Sequence, residues 1–185
     1  PRYSYHMYAI PVAGQWLSYF EDQCRFISAL PDILQEKLLV RLYHVDFGWE
    51  HGARLRDKFP NIKTNLEGGS IPNLVEKSRI FIATYNATTY LEALTWNVPT
   101  IIFWNPEHWE LKEDVKPYFE QLKSVGIFHE TPESAANQMI TVWDDIVGWW
   151  ESDEVQNVRH QFCDRFSNVP KKPIDKLVAL FKEMT

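Results

Sequence analysis

The sequence predicts an α/β domain, a doubly wound parallel sheet with a helical C-terminal tail. Two apolar runs, at 80–83 and 100–104, are rich in β-branched and aromatic residues and too short for helices. Between them stand a polar turn, Thr84-Tyr85-Asn86-Ala87-Thr88-Thr89, and a short helix that Asn97-Val98-Pro99 ends. Together they make one right-handed βαβ unit. Strands alternate with helices in the same way across residues 4–130.

Strand one is read at 4–11, closed by the turn Pro11-Val12-Ala13-Gly14. Residues 15–30 place Trp16, Leu17, Phe20, Phe26, Ile27 and Leu30 at roughly helical spacing. Strand two spans 38–43 and ends at His44; a short helix at 49–58 and strand three at 61–65 follow. Gly68-Gly69-Ser70 leads into a helix at 71–77 and then the strand at 80–83. Beyond Trp104 come a loop at 105–110, a helix over about 115–124, and a last strand at 127–129. Thr131-Pro132-Glu133-Ser134 reads as a helix start, with Thr as cap, Pro at the first position and an acidic first turn. The rest is helical in three pieces, broken near 148–152 and 169–173. Residues 1–130 are read as the ligand-binding part, with 131–185 packed on the same domain.

Composition narrows the partners. A chain of 185 residues with 45% hydrophobic content suits one domain with a full core. A net charge of −6 with no basic cluster argues against nucleic acid. Cys24 and Cys163 sit in no metal or redox spacing and read as free thiols of a reducing compartment. No apolar run approaches the roughly 20 residues a membrane span needs, and no signal peptide is visible. A cytoplasmic protein is expected. The opening Pro1-Arg2-Tyr3-Ser4 lacks an initiator Met and suggests a piece of a longer protein whose N-terminal domain is a partner.

Ligands of parallel sheets sit at the carboxyl ends of the strands, where the 84–89 turn falls. The helix start offers the backbone N–H groups of Ala87, Thr88 and Thr89, with Thr84 and Asn86 beside them, as an anion seat that needs no lysine. Glu92, one turn further on the same face, suits the hydroxyls of a ribose. An ordinary capped helix is the alternative. Gly14 and Gln15 follow strand one at the same edge, and Arg41 and His44 end strand two there. In the loop after the strand at 100–104, Asn105, Glu107 and His108 can bond sugar hydroxyls, with Trp104 or Trp109 as an apolar wall. A metal at His44, Asp46 and His51 is not expected, because an unconstrained loop would carry the ligands. Trp143, Trp149 and Trp150 read as packing, and the acidic residues Asp144, Asp145, Glu151, Asp153 and Glu154 as a solvated face around helix ends.

The segment Asn86-Ala87-Thr88-Thr89-Tyr90-Leu91-Glu92, followed by a small-residue helix and Asn97-Val98-Pro99, resembles the donor-binding motif of GT-B glycosyltransferases. Their MurG-like and UDP-GlcNAc epimerase-like branches are the most similar. In those enzymes a Gly-rich turn precedes a helix whose Glu grips the nucleotide ribose, and a strand beginning Gly-x-Pro follows. Here Asn86 and Ala87 stand where many have glycines. Over nearly its whole length the chain resembles bacterial transferases of surface-carbohydrate pathways, which share Thr84-Tyr85-Asn86-Ala87-Thr88-Thr89-x-Leu91-Glu92. It is also similar to them at Ile101-Ile102-Phe103-Trp104-Asn105-Pro106-Glu107, Pro117-Tyr118-Phe119 and Arg41-Leu42-Tyr43.

The resemblance implies a Rossmann-like C-terminal half that binds a nucleotide-sugar as substrate, with no cofactor and no metal. The catalytic base would come from the other half, so that this chain alone turns nothing over. A nucleotide-sugar epimerase or polyol-phosphate transferase on the same fold, and a non-catalytic nucleotide- or protein-binding domain, are the rival readings.

Overall fold

The computed structural model describes residues 13–43, 46, 48–65, 70–168 and 173–183; the expected strand at 4–11, His44 and the Gly68-Gly69 step lie outside them. A 3-10 turn, Ala13–Gln15, runs into α1 (Trp16–Ala29), and a short α2 (Asp32–Gln35) precedes β1 (Leu39–Arg41). Then follow α3 (His51–Lys58), β2 (Lys63–Asn65), α4 (Ile71–Glu76), β3 (Phe81–Ala83), α5 (Thr88–Thr95) and β4 (Thr100–Phe103). After these come α6 (Lys116–Ser124), β5 (Phe128–His129), α7 (Pro132–Val142), α8 (Ile146–Trp150), α9 (Asp153–Phe166) and α10 (Pro173–Glu183). The α/β alternation is as expected.

All described strand pairs are parallel, and they form two small sheets rather than one. β1 pairs with β2, Leu39 opposite Lys63 and Arg41 opposite Asn65. β4 lies between β3 and β5, Phe81 opposite Thr100 and Ile102 opposite Phe128. Every residue of β4 is buried. Ile101 and Phe103 face a cluster with Phe26 and Ile27 of α1 and Ala135 and Met139 of α7. Ile102, with Trp104 just past the strand, faces a second cluster with Leu94, Phe119, Leu122 and Phe162. That alternation is the period of two of a strand, and it places helices on both faces of the three-stranded sheet.

The connection from α5 to β4 is tied down. Asn97 takes a left-handed backbone with φ 56°, and the Val98 N–H donates to the Ala93 carbonyl at 3.0 Å. This is how a helix ends when its terminal carbonyls are met by the next turn. The buried Arg159 guanidinium donates to the Leu94 carbonyl at 2.8 Å, satisfying another of them.

The tail breaks once more than the sequence suggests. A 3-10 turn, Trp143–Asp145, separates α7 from α8. The Asp145 carboxylate accepts from the Gly148 N–H at 2.8 Å and restarts the helix. A Cβ at Gly148 would overlap that carboxylate, so glycine lets the cap close. Trp150 is buried, while Trp143 and Trp149 are half-buried, as packing residues should be.

Candidate functional site

The turn after β3 is fixed by α1. The Tyr19 hydroxyl and the Thr84 Oγ1 share a hydrogen bond of 2.8 Å, and Gln23 Nε2 donates to both, at 2.6 and 3.2 Å. The Tyr19 ring meets Tyr85 edge-on at 6.2 Å and Trp109 at 5.8 Å. One residue of α1 therefore joins the turn after β3 to the loop after β4. Burial pushes the Tyr19 phenol well above its ordinary range, so it stays a neutral hydrogen-bonding group.

One helix, α5, begins beside this junction, and no side chain closes its start. Ala87, the residue before α5, is extended at φ −140° with no side-chain cap, and the first turn of α5 holds no acidic residue. α1 has no side-chain cap at Gln15 either, but that residue is itself helical and the 3-10 turn runs into α1 through it, so α1 has no open start there. Thr131, Asp145 and Ser152 cap α7, α8 and α9, with Glu133, Asp153 and Glu154 in first turns of α7 and α9, while α2, α3, α4 and α6 have no side-chain cap. Of the three expected donors, the Ala87 N–H is taken by the turn, donating to the Tyr85 carbonyl at 3.1 Å, so the anion seat falls to the first turn of α5 itself and the positive end of its dipole. Asn86 accepts from the Tyr90 hydroxyl at 3.1 Å, which commits its side-chain oxygen to the turn. Burial pushes that Tyr90 phenol up to about 12. Gly14 is exposed, and a Cβ built there meets nothing within 4 Å, so no close approach demands glycine at that position.

An open groove of about 440 Å³ runs along the outer face of α5. Thr88, Leu91, Glu92 and Trp96 line one wall, and Arg165 and Asn168 at the end of α9 line the other. The Thr95 hydroxyl donates to Ser167 Oγ at 2.8 Å and holds the walls together. Thr88 and Glu92 thus share one face, as expected. Among the described residues neither the Glu92 carboxylate nor the Arg165 guanidinium makes an ion pair, although they line the same groove. Arg165 lies over the Phe166 ring at 5.7 Å.

The remaining expected residues fall out unevenly. Arg41 is exposed, and its charge reaches the Tyr85 phenol, so the end of β1 lies near the 84–89 turn. Thr89 is half-buried in the first turn of α5. Asn105 shapes its own loop through its two oxygens: the side-chain oxygen accepts from the Glu107 N–H at 2.9 Å and the carbonyl from the His108 N–H at 3.0 Å. Glu107 is exposed. His108 is half-buried, and its Nδ1 is enclosed without a hydrogen-bond partner. Trp104 is 1% exposed, so it presents no face to a ligand.

No three metal-binding side chains gather among the described residues. Asp46 accepts from the backbone N–H groups of Gly48, Trp49 and Glu50 at 2.9, 2.9 and 3.1 Å, a structural role for its carboxylate.

Sequence reasoning missed Tyr19, Gln23 and Arg165. Tyr19 and Gln23 are polar groups one helical turn apart on α1, a signal that only their separation from Thr84 hides. It missed Asp22 as well, a buried carboxylate 3.0 Å from Arg25 that feels the charge of His108 and is raised chiefly by desolvation.

Among the described residues no helix is long and apolar enough to cross a membrane. No curated protein and no solved structure matches the chain. A family model described as LIC12162 family transferase matches residues 1–181. The chain belongs to that family of transferases.

Proposed function

We propose that this transferase binds a nucleoside-diphosphate-linked sugar, with the diphosphate at the start of α5 and the ribose on Glu92. The observation that carries the reading is the Tyr19–Thr84 bond, which holds α1 against the turn that leads to the uncapped start of α5, at the carboxyl end of β3. Such a start favours an anion by position. The Thr88 hydroxyl and Glu92 carboxylate then stand in one groove, a donor followed by an acceptor suited to a diol. The loop at 105–109 borders the same junction through Trp109 and Tyr19, so Asn105, Glu107 and His108 are the proposed sugar-side neighbours.

The fold proposed for this role is the doubly wound, GT-B type. Numbered with the expected strand at 4–11 as the first, the observed pairings join strands two and three and strands four, five and six. Each is a neighbour pair in the order 3-2-1-4-5-6. The acceptor's base is proposed to come from another part of a longer protein, and the product to be a surface carbohydrate.

Titration of the chain with UDP, GDP, CDP and CMP by calorimetry, beside Glu92→Ala, tests the donor site. Saturable binding of one nucleotide, at least fivefold weaker in the variant, is the expected result. Binding unchanged by the substitution removes Glu92 from the site. Silence from every nucleotide in a folded sample favours an interaction domain whose 84–89 turn merely starts a helix.

A further inference from the structure

We infer that the far end of the α5 groove is the nucleobase seat, with the base stacked on Trp96 and its edge read by Arg165. The inference rests on the donor reading above and extends it from phosphate and ribose to the base. Trp96 is 44% exposed, although an indole is among the most costly surfaces to leave in water. It caps the end of α5, whereas Thr88 opens it. At the helical rise the two stand about 12 Å apart along the axis, with Glu92 midway. Outer phosphate, ribose and base of an extended nucleotide follow one another in the same order and over a comparable span.

The second wall sets the register. Ser167 is bonded to Thr95 at 2.8 Å, so the 165–168 stretch is anchored near the Trp96 end rather than the Thr88 end. Arg159, also from α9, reaches the Leu94 carbonyl and fixes the same end of α5. Arg165 is therefore placed beside the base rather than the diphosphate. Among the described residues it makes no ion pair, and its one aromatic contact, over Phe166, leaves its N–H groups to a ligand.

Those groups only donate. A planar fork of donors pairs with two adjacent acceptors, as on the O6 and N7 edge of guanine. Cytosine also offers two, O2 and N3, whereas uracil sets an N–H between its carbonyl oxygens and adenine an amino group beside N7, which leaves one arm of the fork opposed to a donor. The seat therefore prefers guanine or cytosine.

Calorimetric titration with GDP, UDP, ADP, CDP and inorganic diphosphate, on the chain and on Trp96→Ala, Arg165→Gln and Arg165→Lys, tests this. GDP or CDP is expected to bind at least tenfold more tightly than diphosphate and than ADP or UDP. Trp96→Ala and Arg165→Gln should each weaken that nucleotide at least fivefold and leave diphosphate within twofold. Arg165→Lys keeps the charge but loses the fork, so it should lose that base preference. Both positions are exposed, and thermal melts confirm that the variants fold.

If a nucleotide binds and neither substitution affects it, the base lies elsewhere and the inference fails while the donor site stands. If ADP or UDP binds as tightly as GDP and CDP, the assignment of Arg165 is overturned. If neither diphosphate nor any nucleotide binds, the donor reading fails and takes this one with it.

Discussion

Asn97 presents two oxygens to one donor: the Trp150 indole N–H lies 3.1 Å from its carbonyl and 3.0 Å from its side-chain oxygen. Gln156 Nε2 donates to the same side-chain oxygen at 3.0 Å. Asn tolerates the left-handed backbone that this helix end requires, and unlike Gly it also carries an acceptor. A single residue thereby ends α5, starts the approach to β4, and anchors α8 and α9 beneath both.

Substitutions at this anchor should separate backbone from side chain. Asn97→Gly keeps the φ of 56° and loses only the acceptor. Asn97→Ala loses the acceptor and also strains the turn. Urea unfolding is expected to show a cost of about 1 kcal/mol for the glycine variant. The alanine variant should cost about 1–2 kcal/mol more. Trp150→Phe removes the donor from a side chain only 1% exposed and should cost about 2–4 kcal/mol through lost packing and unmet acceptors. Equal stability of the Gly and Ala variants contradicts the left-handed requirement.

A carboxylate placed at the start of α5 should move stability and binding in opposite directions. Thr88→Glu puts a negative charge in a first turn that holds none, at an exposed position. It should stabilise the helix by about 0.3–1 kcal/mol. The same charge repels a diphosphate, so nucleotide binding should fall at least tenfold. A variant that gains stability and binds as before argues that no anion sits there.

The elements that were legible in the sequence are those whose signal is local. Thr131 accepts from the Ser134 N–H at 3.2 Å, the cap read directly from Thr-Pro-Glu-Ser. The strands on either side of α5 also fell within a residue of their expected limits, because β-branched runs bounded by turn residues carry their own signal. The junction at Thr84 was not legible. Tyr19 and Gln23 lie on a helix far away in sequence, and nothing in a helical stretch tells which polar side chain will meet which strand end. Asp145 was read as solvated because its partner, the N–H of Gly148, becomes free only when the helix breaks there. Arg165 looked like any surface cation until Thr95 and Ser167 brought the end of α9 against α5.

Removing the Tyr19 hydroxyl tests the junction itself. In Tyr19→Phe the ring keeps its contacts with Tyr85 and Trp109, while Thr84 Oγ1 is left to Gln23 alone at 3.2 Å. A loss of about 1 kcal/mol is expected in urea unfolding. Nucleotide affinity should drop a few-fold, because the 84–89 turn loses its fixed position. Tyr19→Phe with unchanged stability and affinity separates the hydroxyl from any positioning role.

His129 makes the fold acid-sensitive. It is 8% exposed; its Nδ1 lies 2.8 Å from Ser134 Oγ, and its Nε2 lies 3.1 Å from the Gly126 carbonyl. A carbonyl only accepts, so Nε2 carries the proton and Nδ1 accepts from the serine, an arrangement of the neutral ring. Burial lowers its pKa, and the charge of Lys123 adds to the effect. The unfolded chain therefore takes up a proton before the folded one does. Below the ordinary histidine value of about 6.5, stability falls as pH falls, until the lowered folded value is reached. Above about 6.5 this group contributes no slope. His129→Gln can keep a donor and an acceptor without titrating. Melting temperatures from pH 8 to 5 should decline less steeply for the variant than for the parent, even though it starts lower. Parallel profiles would move the acid sensitivity to another group and leave His129 with a packing role alone.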